Sequence, residues 1–359
     1  MINWWNTELA EAEKTEMLRA FSERRFTTSR SVERAEELFS QLLNVPYVVM
    51  TNSGSSALLM ALLSLNLKPD DEVIVPAITW IATAQAPALL NLKVRICDCE
   101  ANSPIMDPDH LKKLITKKTK VIMPVHLNGR HCDLDRIQEL ASLSGAYVLE
   151  DACKALFSKG AKGYLGTIGE IGCFSLGMIS PVSVGYGGLV VTKQKDLYLK
   201  LKKIRDHGVQ RQPEIYEHLG FNFKISDILA SLAIPQLLNI EEKKQKFLAI
   251  HDFYSEKICN PHIQILPSDK KGGSLPIYVE AASPQREELI AYLQKKEIQV
   301  SRYHLPTYHA SYLHPEGSFP NAKRFAEECF ILPSGPAQNL DDIQKVVEQV
   351  NQFNAYCTV

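Results

Sequence analysis

The sequence predicts an α/β protein: a large domain with a mostly parallel sheet, followed by a smaller C-terminal α+β domain. The chain has 359 residues, of which 45% are hydrophobic and 23% charged, a globular composition long enough for two domains. In its first part, short runs that are apolar throughout alternate with helical segments, which is typical of parallel strands covered by helices on both faces. Because the pattern changes near residue 250, we predict domains at 1–250 and 251–359.

The first elements can be assigned in order from their periodicity. Residues 7–22 and 31–44 have the spacing of amphipathic helices. The following segments alternate: YVVMTNSG predicts a strand, SALLMALLSLNL a helix, EVIVPA a strand, TAQAPALLNL a helix and KVRICD a strand. DPDHLKKLI predicts a helix, because Asp107 can cap its first turn and Pro108 suits its first position.

The later elements continue this alternation and then change character. VIMPVHL, AYVLEDA, IGCFSLG and GGLVVT predict strands, and DLDRIQELASLSG predicts a helix that ends at Gly145. Residues 195–250 are predicted to be helical and end in the charged run IEEKKQKF, which is a solvated helix face or an exit from the domain. In the last part, LPIYVEA predicts a strand, while REELIAYLQKK and DDIQKVVEQVNQF predict helices.

Charge, hydropathy and cysteine content exclude several classes of function. Lys and Arg number 40 and Asp and Glu 41, so nothing indicates binding to nucleic acid. The N-terminus does not have the pattern of a signal peptide, and no apolar run reaches the roughly 18 residues of a membrane span. Of eight scattered cysteines, only Cys97 and Cys99 lie close together, and two thiols do not make a metal site. We expect reduced thiols, no metal and a cytoplasmic location.

Two stretches in the first part of the chain suggest ligand binding. In NSGSSALLMAL, Ser55 and Ser56 stand where a helix begins, and free N–H groups with hydroxyls at that positive end form a phosphate cradle. A capped helix start explains the same letters. In AITWIATAQA, Trp80 follows a strand at the end of the sheet where α/β proteins bind ligands. Its indole could stack on a heteroaromatic ring, or it could be a core tryptophan.

Two further stretches follow predicted strands. Asp151 ends the strand of AYVLEDACKA, where its carboxylate could pair with a protonated pyridine nitrogen or could cap the next segment. In CFSLGMISPVSVGYGG, Ser175 and the glycines at 185, 187 and 188 suit the close approach of backbone to a ligand. The same residues would also suit a plain turn.

These stretches occur in a fixed order with further motifs: VIMPVHLNGRHCDLDRI, GEIGCFS, RDHG, GFNFKISDILASLAIPQL and YHLPTYH. With them, nearly the whole chain resembles the DegT/StrS family of nucleotide-sugar aminotransferases, which have the aspartate-aminotransferase fold (fold type I). The resemblance implies pyridoxal 5'-phosphate (PLP) or pyridoxamine 5'-phosphate (PMP) as cofactor. It also implies a keto-sugar nucleotide as substrate and glutamate as amino donor, in the biosynthesis of amino sugars, deoxysugars and polysaccharides.

The resemblance also implies a role for each matching residue. The cofactor phosphate would be held by Gly54, Ser55, Ser56 and Ser175. Trp80 would stack on the pyridine ring and Asp151 would bind the ring nitrogen. Asn222 would reach the phosphate of the cofactor in a neighbouring subunit, so a homodimer with shared active sites is expected, in agreement with the commonest assembly of soluble proteins.

One residue that the family requires is missing. The family's Schiff-base lysine lies five residues after the serine matched by Ser175 and seven before the glycine matched by Gly187, and both spacings lead to Ser180. A hydroxyl can neither form a Schiff base nor shuttle a proton at neutral pH without an activating base. Tyr186 and Lys224 also replace an acidic residue and an arginine that are usual in the family.

Lys154 is the visible compensation, because it stands where the family usually has glutamine or histidine near the phenolic oxygen of the cofactor. It could form the Schiff base, pair with the phenolate or a substrate phosphate, or face solvent. Three functions follow: an aminotransferase, a PMP-dependent sugar dehydratase of the same family with His207 or His309 as a candidate base, or a homologue that keeps the fold and ligand pocket without transamination.

Overall fold

The protein is described here by a computed structural model that covers residues 1–27, 29–211, 213–303 and 305–354. His304 of the YHLPTYH motif therefore lies outside the described residues. The strands are β1 (Tyr47–Thr51), β2 (Glu72–Pro76), β3 (Lys93–Cys97), β4 (Thr119–Ile122), β5 (Tyr147–Asp151), β6 (Lys159–Gly160), β7 (Gly163–Tyr164), β8 (Ile171–Ser175), β9 (Gly188–Thr192), β10 (Val209–Arg211), β11 (Glu214–Tyr216), β12 (Gln264–Ile265), β13 (Val279–Ala282), β14 (Ser301–Arg302) and β15 (Cys329–Leu332).

Helices connect and cover these strands. They are α1 (Glu11–Ser22), α2 (Arg30–Leu43), α3 (Gly54–Ser64), α4 (Ala82–Leu89), α5 (Pro108–Leu114), α6 (Leu134–Ser144), α7 (Lys195–Arg205), α8 (Asp227–Ser231), α9 (Ala233–Leu238), α10 (Ile240–Lys257), α11 (Arg286–Lys295), α12 (Pro320–Glu328) and α13 (Leu340–Gln352). The predicted start and stop signals hold: the Asp107 side chain accepts from the amide of Asp109 at 2.8 Å before α5, and Gly145 ends α6 in a left-handed conformation.

The central sheet has seven strands in the order β1-β9-β8-β5-β4-β2-β3. The pairs β3–β2, β2–β4, β4–β5 and β5–β8 are parallel, and β9 is antiparallel to both of its neighbours. Along β2, Val73 and Val75 pack into one apolar core and Ile74 into another, so both faces of the sheet are buried. The predicted mostly parallel sheet between two helical layers is confirmed.

A second sheet lies in the C-terminal part of the chain. It is antiparallel, with the order β12-β13-β15-β14, and its apolar core includes side chains of α10, α11 and α13. The beginning of the chain also reaches this region, since Ile2 forms a parallel bridge with Ile298. The predicted division at residue 250 falls inside α10, and two separate domains stay a prediction.

One sequence prediction is wrong, namely that the whole of 195–250 is helical. Between α7 and α8 the chain forms the antiparallel pair β10–β11. Gly208 has a φ of 77°, and a Cβ there would lie 1.7 Å from the carbonyl oxygen of His218, so only glycine allows the chain to fold back at this point. In the described part of the chain, no helix is long and apolar enough to cross a membrane.

Candidate active site

A cavity of about 700 Å³ opens at one edge of the central sheet. Asp151 ends β5 and Ser175 ends β8, while Ser53 and Trp80 lie just beyond β1 and β2, and all four line the cavity. β1, β2, β5 and β8 run in the same direction, so the cavity lies outside the carboxyl ends of these strands. This is where open α/β sheets bind their ligands.

The N-terminus of α3 forms one wall of the cavity. Ser53 caps the helix, since its hydroxyl accepts from the amide of Ser56 at 3.0 Å and lies 2.9 Å from the hydroxyl of Ser56. Ser55 is exposed and lines the cavity, whereas Ser56 is not part of the lining. The capped helix start considered from the sequence is therefore present at this end of α3, and the phosphate cradle stays a prediction.

Gly54 allows α3 to approach the end of β8. A Cβ at this position would lie 2.9 Å from the Cβ of Ser175 and 3.1 Å from the Sγ of Cys153. The hydroxyl of Ser175 is half-buried and accepts from the amide of Gly177 at 3.2 Å. The absence of a side chain at Gly54 thus brings the helix N-terminus and the Ser175 hydroxyl to the same part of the cavity.

Asp151 presents a buried carboxylate to the cavity. Its Oδ2 accepts from the hydroxyl of Thr83 at 2.7 Å, and its Oδ1 accepts from the amide of Cys153 at 3.1 Å. The sequence singled out Asp151 but not Thr83, a residue in the first turn of α4 whose hydroxyl lies 3.0 Å from that of Thr79. Two donors therefore hold the carboxylate in one orientation.

Aromatic side chains form much of the remaining wall. Trp80 is 64% exposed, so the interpretation of Trp80 as a core tryptophan is wrong. Tyr186 also lines the cavity, and Tyr278 and Tyr303 contribute from the C-terminal part of the chain. Such a lining, apolar with a few polar groups, is typical of sites for small organic ligands.

Ser180 lies in the loop after β8, and the side chain of Lys154 reaches the same loop. Ser180 is buried, and its hydroxyl donates to the carbonyl oxygen of Ser175 at 3.0 Å, but it is not part of the cavity lining. Lys154 lines the cavity, and its Nζ donates to the carbonyl oxygen of Ile179 at 3.0 Å. Burial lowers the pKa of Lys154, an effect opposed by the nearby Cys153 and Asp151.

Asn222 lies outside this cavity. It is exposed, and its carbonyl oxygen accepts from the side-chain amide of Asn52 at 3.3 Å. Nearby, Lys224 forms an ion pair with Asp206, with 2.5 Å between Nζ and Oδ1. Neither His207 nor His309, the candidate bases of a dehydratase, is part of the cavity lining.

A buried polar cluster, which the sequence did not predict, joins the two sheets beside the cavity. Glu280 of β13 accepts from Arg130 at 2.5 Å, from the side-chain amide of Asn128 at 2.9 Å and from the hydroxyl of Tyr303 at 2.7 Å. Arg130 and Asn128 each lie 150 or more residues before Glu280 in the sequence, so no local pattern could have indicated these contacts. The cluster fixes Tyr303 in the cavity wall.

Comparisons with known proteins identify the relatives of this chain. The model of the DegT/DnrJ/EryC1/StrS aminotransferase family matches residues 7–351. The chain belongs to this family. It is 30% identical over 331 residues to the GDP-perosamine synthase of Escherichia coli O157:H7, with 90% of each chain covered. Among the described residues of this family member, no group of three or more His, Cys, Asp or Glu side chains could hold a metal ion.

Solved structures of relatives have the same fold. The crystal structure of S. venezuelae DesV in complex with a ketimine intermediate superposes with a TM-score of 0.89 at 27% identity, covering 94% of this chain and 93% of that one. The E coli GDP-4-keto-6-deoxy-D-mannose-3-dehydratase with bound hydrated PLP superposes with a TM-score of 0.90 at 21% identity, covering 98% and 99%. The predicted fold type I is confirmed.

Proposed function

We propose that this family member binds PLP or PMP in the cavity at the carboxyl edge of the central sheet and acts on a keto-sugar nucleotide. The observation that supports it most directly is the Asp151 carboxylate, which is buried, held by two donors and turned into the cavity. A carboxylate in such a position is suited to pair with a protonated pyridine nitrogen. When bound, the cofactor would supply an electron sink for chemistry next to the sugar carbonyl.

The other groups fit the remaining parts of this cofactor. The N-terminus of α3 offers free amides and the Ser55 hydroxyl, and with the Ser175 hydroxyl it forms a site suited to a phosphate. The indole of Trp80 is exposed and lines the cavity, as expected of a ring that stacks on the pyridine ring. Ser56, whose hydroxyl lies against Ser53, would act mainly by ordering the helix terminus.

We also propose that position 180 is the family's lysine position and carries no covalent bond to the cofactor. The Ser180 hydroxyl is buried and donates to the main-chain carbonyl oxygen of Ser175 at 3.0 Å. Ser180 would therefore hold the loop after β8 in place. If the chain transaminates, the proton transfers must come from another residue.

The remaining predictions concern partners. Asn222 is exposed and outside the cavity of its own chain, as expected if it reaches the cofactor phosphate of a second subunit in a homodimer. Two relatives favour a nucleotide sugar as substrate. The relative from Escherichia coli O157:H7 is a GDP-perosamine synthase, and a relative from Streptomyces venezuelae is a dTDP-3-amino-3,4,6-trideoxy-alpha-D-glucose transaminase. Glutamate as amino donor and a cytoplasmic location stay predictions.

The absence of the lysine favours a second candidate, a PMP-dependent sugar dehydratase. One structure with the same fold is a GDP-4-keto-6-deoxy-D-mannose-3-dehydratase. The two functions differ in product: a transaminase converts the ketone to an amine, whereas a dehydratase removes the C3 hydroxyl. Mass spectrometry of the sugar nucleotide, after incubation with PLP and glutamate, distinguishes the transaminase from the dehydratase. If the cofactor binds but the substrate is recovered unchanged, the chain is a non-transaminating homologue.

Cofactor binding itself is tested by titrating PLP against the purified chain and following its absorbance. In the Asp151→Ala variant we expect the Kd to rise at least tenfold, which is about 1.4 kcal/mol of lost pairing. Asp135→Ala is the matched control, because Asp135 is an exposed carboxylate that pairs with Lys162 at the surface. Equal affinity of wild type and Asp151→Ala, or no binding by the wild type, would contradict the proposal.

A further inference from the structure

Lys154 is an amine in the wall of the cavity, three residues after Asp151 in the sequence. We propose that Lys154 supplies the amine that position 180 lacks, and that it forms a reversible imine with the aldehyde of PLP. This inference rests on the proposed binding of PLP in the same cavity. It assigns a covalent role to a residue outside the loop that carries the family's lysine.

The backbone around Lys154 is held close to the Asp151 carboxylate. The amide of Ala152 donates to the carbonyl oxygen of Cys173 at 2.8 Å, and the amide of Cys153 donates to Oδ1 of Asp151 at 3.1 Å. The amide of Ala155 closes the turn by donating to the carbonyl oxygen of Ala152 at 2.9 Å. The origin of the Lys154 side chain is thus fixed relative to the carboxylate proposed to bind the ring.

The side chain of Lys154 crosses to the loop after β8. Its Nζ lies 3.0 Å from the carbonyl oxygen of Ile179, the residue directly before Ser180. The side chain of Lys154 therefore begins just after β5, and its amine lies beside the loop from which the family's lysine would extend. Lys154 is half-buried and Ile179 also lines the cavity, so the amine lies at the cavity wall.

The surroundings of Nζ favour a reactive amine over a fixed cation. Among the described residues, Nζ donates to a main-chain carbonyl, and no carboxylate oxygen lies within 4.0 Å of it. Burial lowers the pKa of Lys154, while the Cys153 thiol and the Asp151 carboxylate oppose that shift. A larger share of neutral amine than on an exposed lysine follows, and the neutral amine is the nucleophile.

Formation of this imine is a condensation that releases water and needs no oxidant or reductant. The neutral Nζ attacks the aldehyde carbon of PLP and forms a carbon–nitrogen bond. After proton transfer the former aldehyde oxygen leaves as water, and a carbon–nitrogen double bond remains. An amino donor reverses the attachment, because its own amine can replace Lys154 at the same carbon and release Nζ as a free amine.

Reduction with borohydride followed by peptide mapping tests this. The complete chain is incubated with PLP, reduced, digested with trypsin and analysed by mass spectrometry. Because trypsin does not cleave after a modified lysine, the expected product is a phosphopyridoxyl peptide that spans residues 137–159. We expect its yield to fall at least tenfold in Lys154→Gln and in Lys154→Arg, and to be unchanged in Lys162→Gln, an exposed lysine of the next turn.

The same experiment separates failure of this inference from failure of the proposed function. Bound PLP without an adduct in the wild type, an adduct on another lysine, or full yield in Lys154→Gln overturns the role of Lys154 alone. A wild type that binds no PLP overturns both. Adding Ser180→Lys to Lys154→Gln checks that the cavity is intact: the adduct should return, now on the peptide that contains position 180.

Discussion

The buried cluster around Glu280 provides the sharpest prediction about stability. The side chains of Glu280 and Arg130 are 1% and 8% exposed, and their charges lie 2.5 Å apart. Glu280→Ala would leave the Arg130 guanidinium buried without a counter-charge, and it would take an acceptor from Asn128 and from the Tyr303 hydroxyl. Removing one partner of a buried pair costs about 3–5 kcal/mol, so we expect the free energy of unfolding to fall by that amount.

A carboxylate close to this cluster in sequence provides the matched control. Glu287 pairs with Arg302 at 2.7 Å, but their side chains are 53% and 63% exposed. Because water screens such a pair, Glu287→Ala should cost about 0–1 kcal/mol. Urea unfolding of both variants at neutral pH measures the difference between the two sites.

A double variant tests the physical reason for the loss. Replacing both charges, in Arg130→Met with Glu280→Leu, removes the uncompensated cation and should recover most of the stability lost in Glu280→Ala. The reasoning is refuted if Glu280→Ala costs no more than Glu287→Ala, or if the double variant is less stable than Glu280→Ala. In the first case the Arg130–Glu280 pair would have to be solvated in solution.

Two further predictions concern buried carboxylates. Burial by itself raises the pKa of Glu150, but hydrogen bonds from His126 and from the amides of Gly169 and Gly166 bring it below the ordinary 4.5. The ionised carboxylate therefore stabilises the fold fully above pH 4.5, and this contribution is lost as the pH falls through the lowered pKa. In urea unfolding, the difference in the free energy of unfolding between wild type and Glu150→Gln should shrink from about pH 7 to pH 3. A difference that does not depend on pH would contradict this. Asp227 accepts from the amides of Ser29, Ser31 and Val32 at 3.0–3.1 Å and so caps α2. Asp227→Ala should cost about 1–3 kcal/mol and speed hydrogen exchange at those amides, with Asp227→Asn in between, whereas unchanged exchange would show that α2 does not depend on this cap.

Much of the fold could be predicted from sequence because its determinants are local. Strands buried on both faces are apolar throughout, and helices begin and end at residues such as Asp107 and Gly145 whose backbone effects do not depend on the rest of the chain. The ordered motifs were sufficient for the family. Asp151 and Trp80, which both line the cavity, were singled out because one ends a strand and the other lies shortly after one, at the edge where α/β sheets bind ligands.

Only the tertiary structure determined which side chains meet. The hydroxyl of Thr83 on Asp151 and the contact of Lys154 with Ile179 join segments 68 and 25 residues apart. The pair β10–β11 escaped prediction because it depends on the backbone fit of Gly208 against His218. The sequence by itself determined the family and the alternation of strands and helices along the large sheet. The position of the Lys154 amine at the carbonyl of Ile179 was decided by packing, because distances across a cavity depend on how whole strands are placed and not on the order of neighbouring residues.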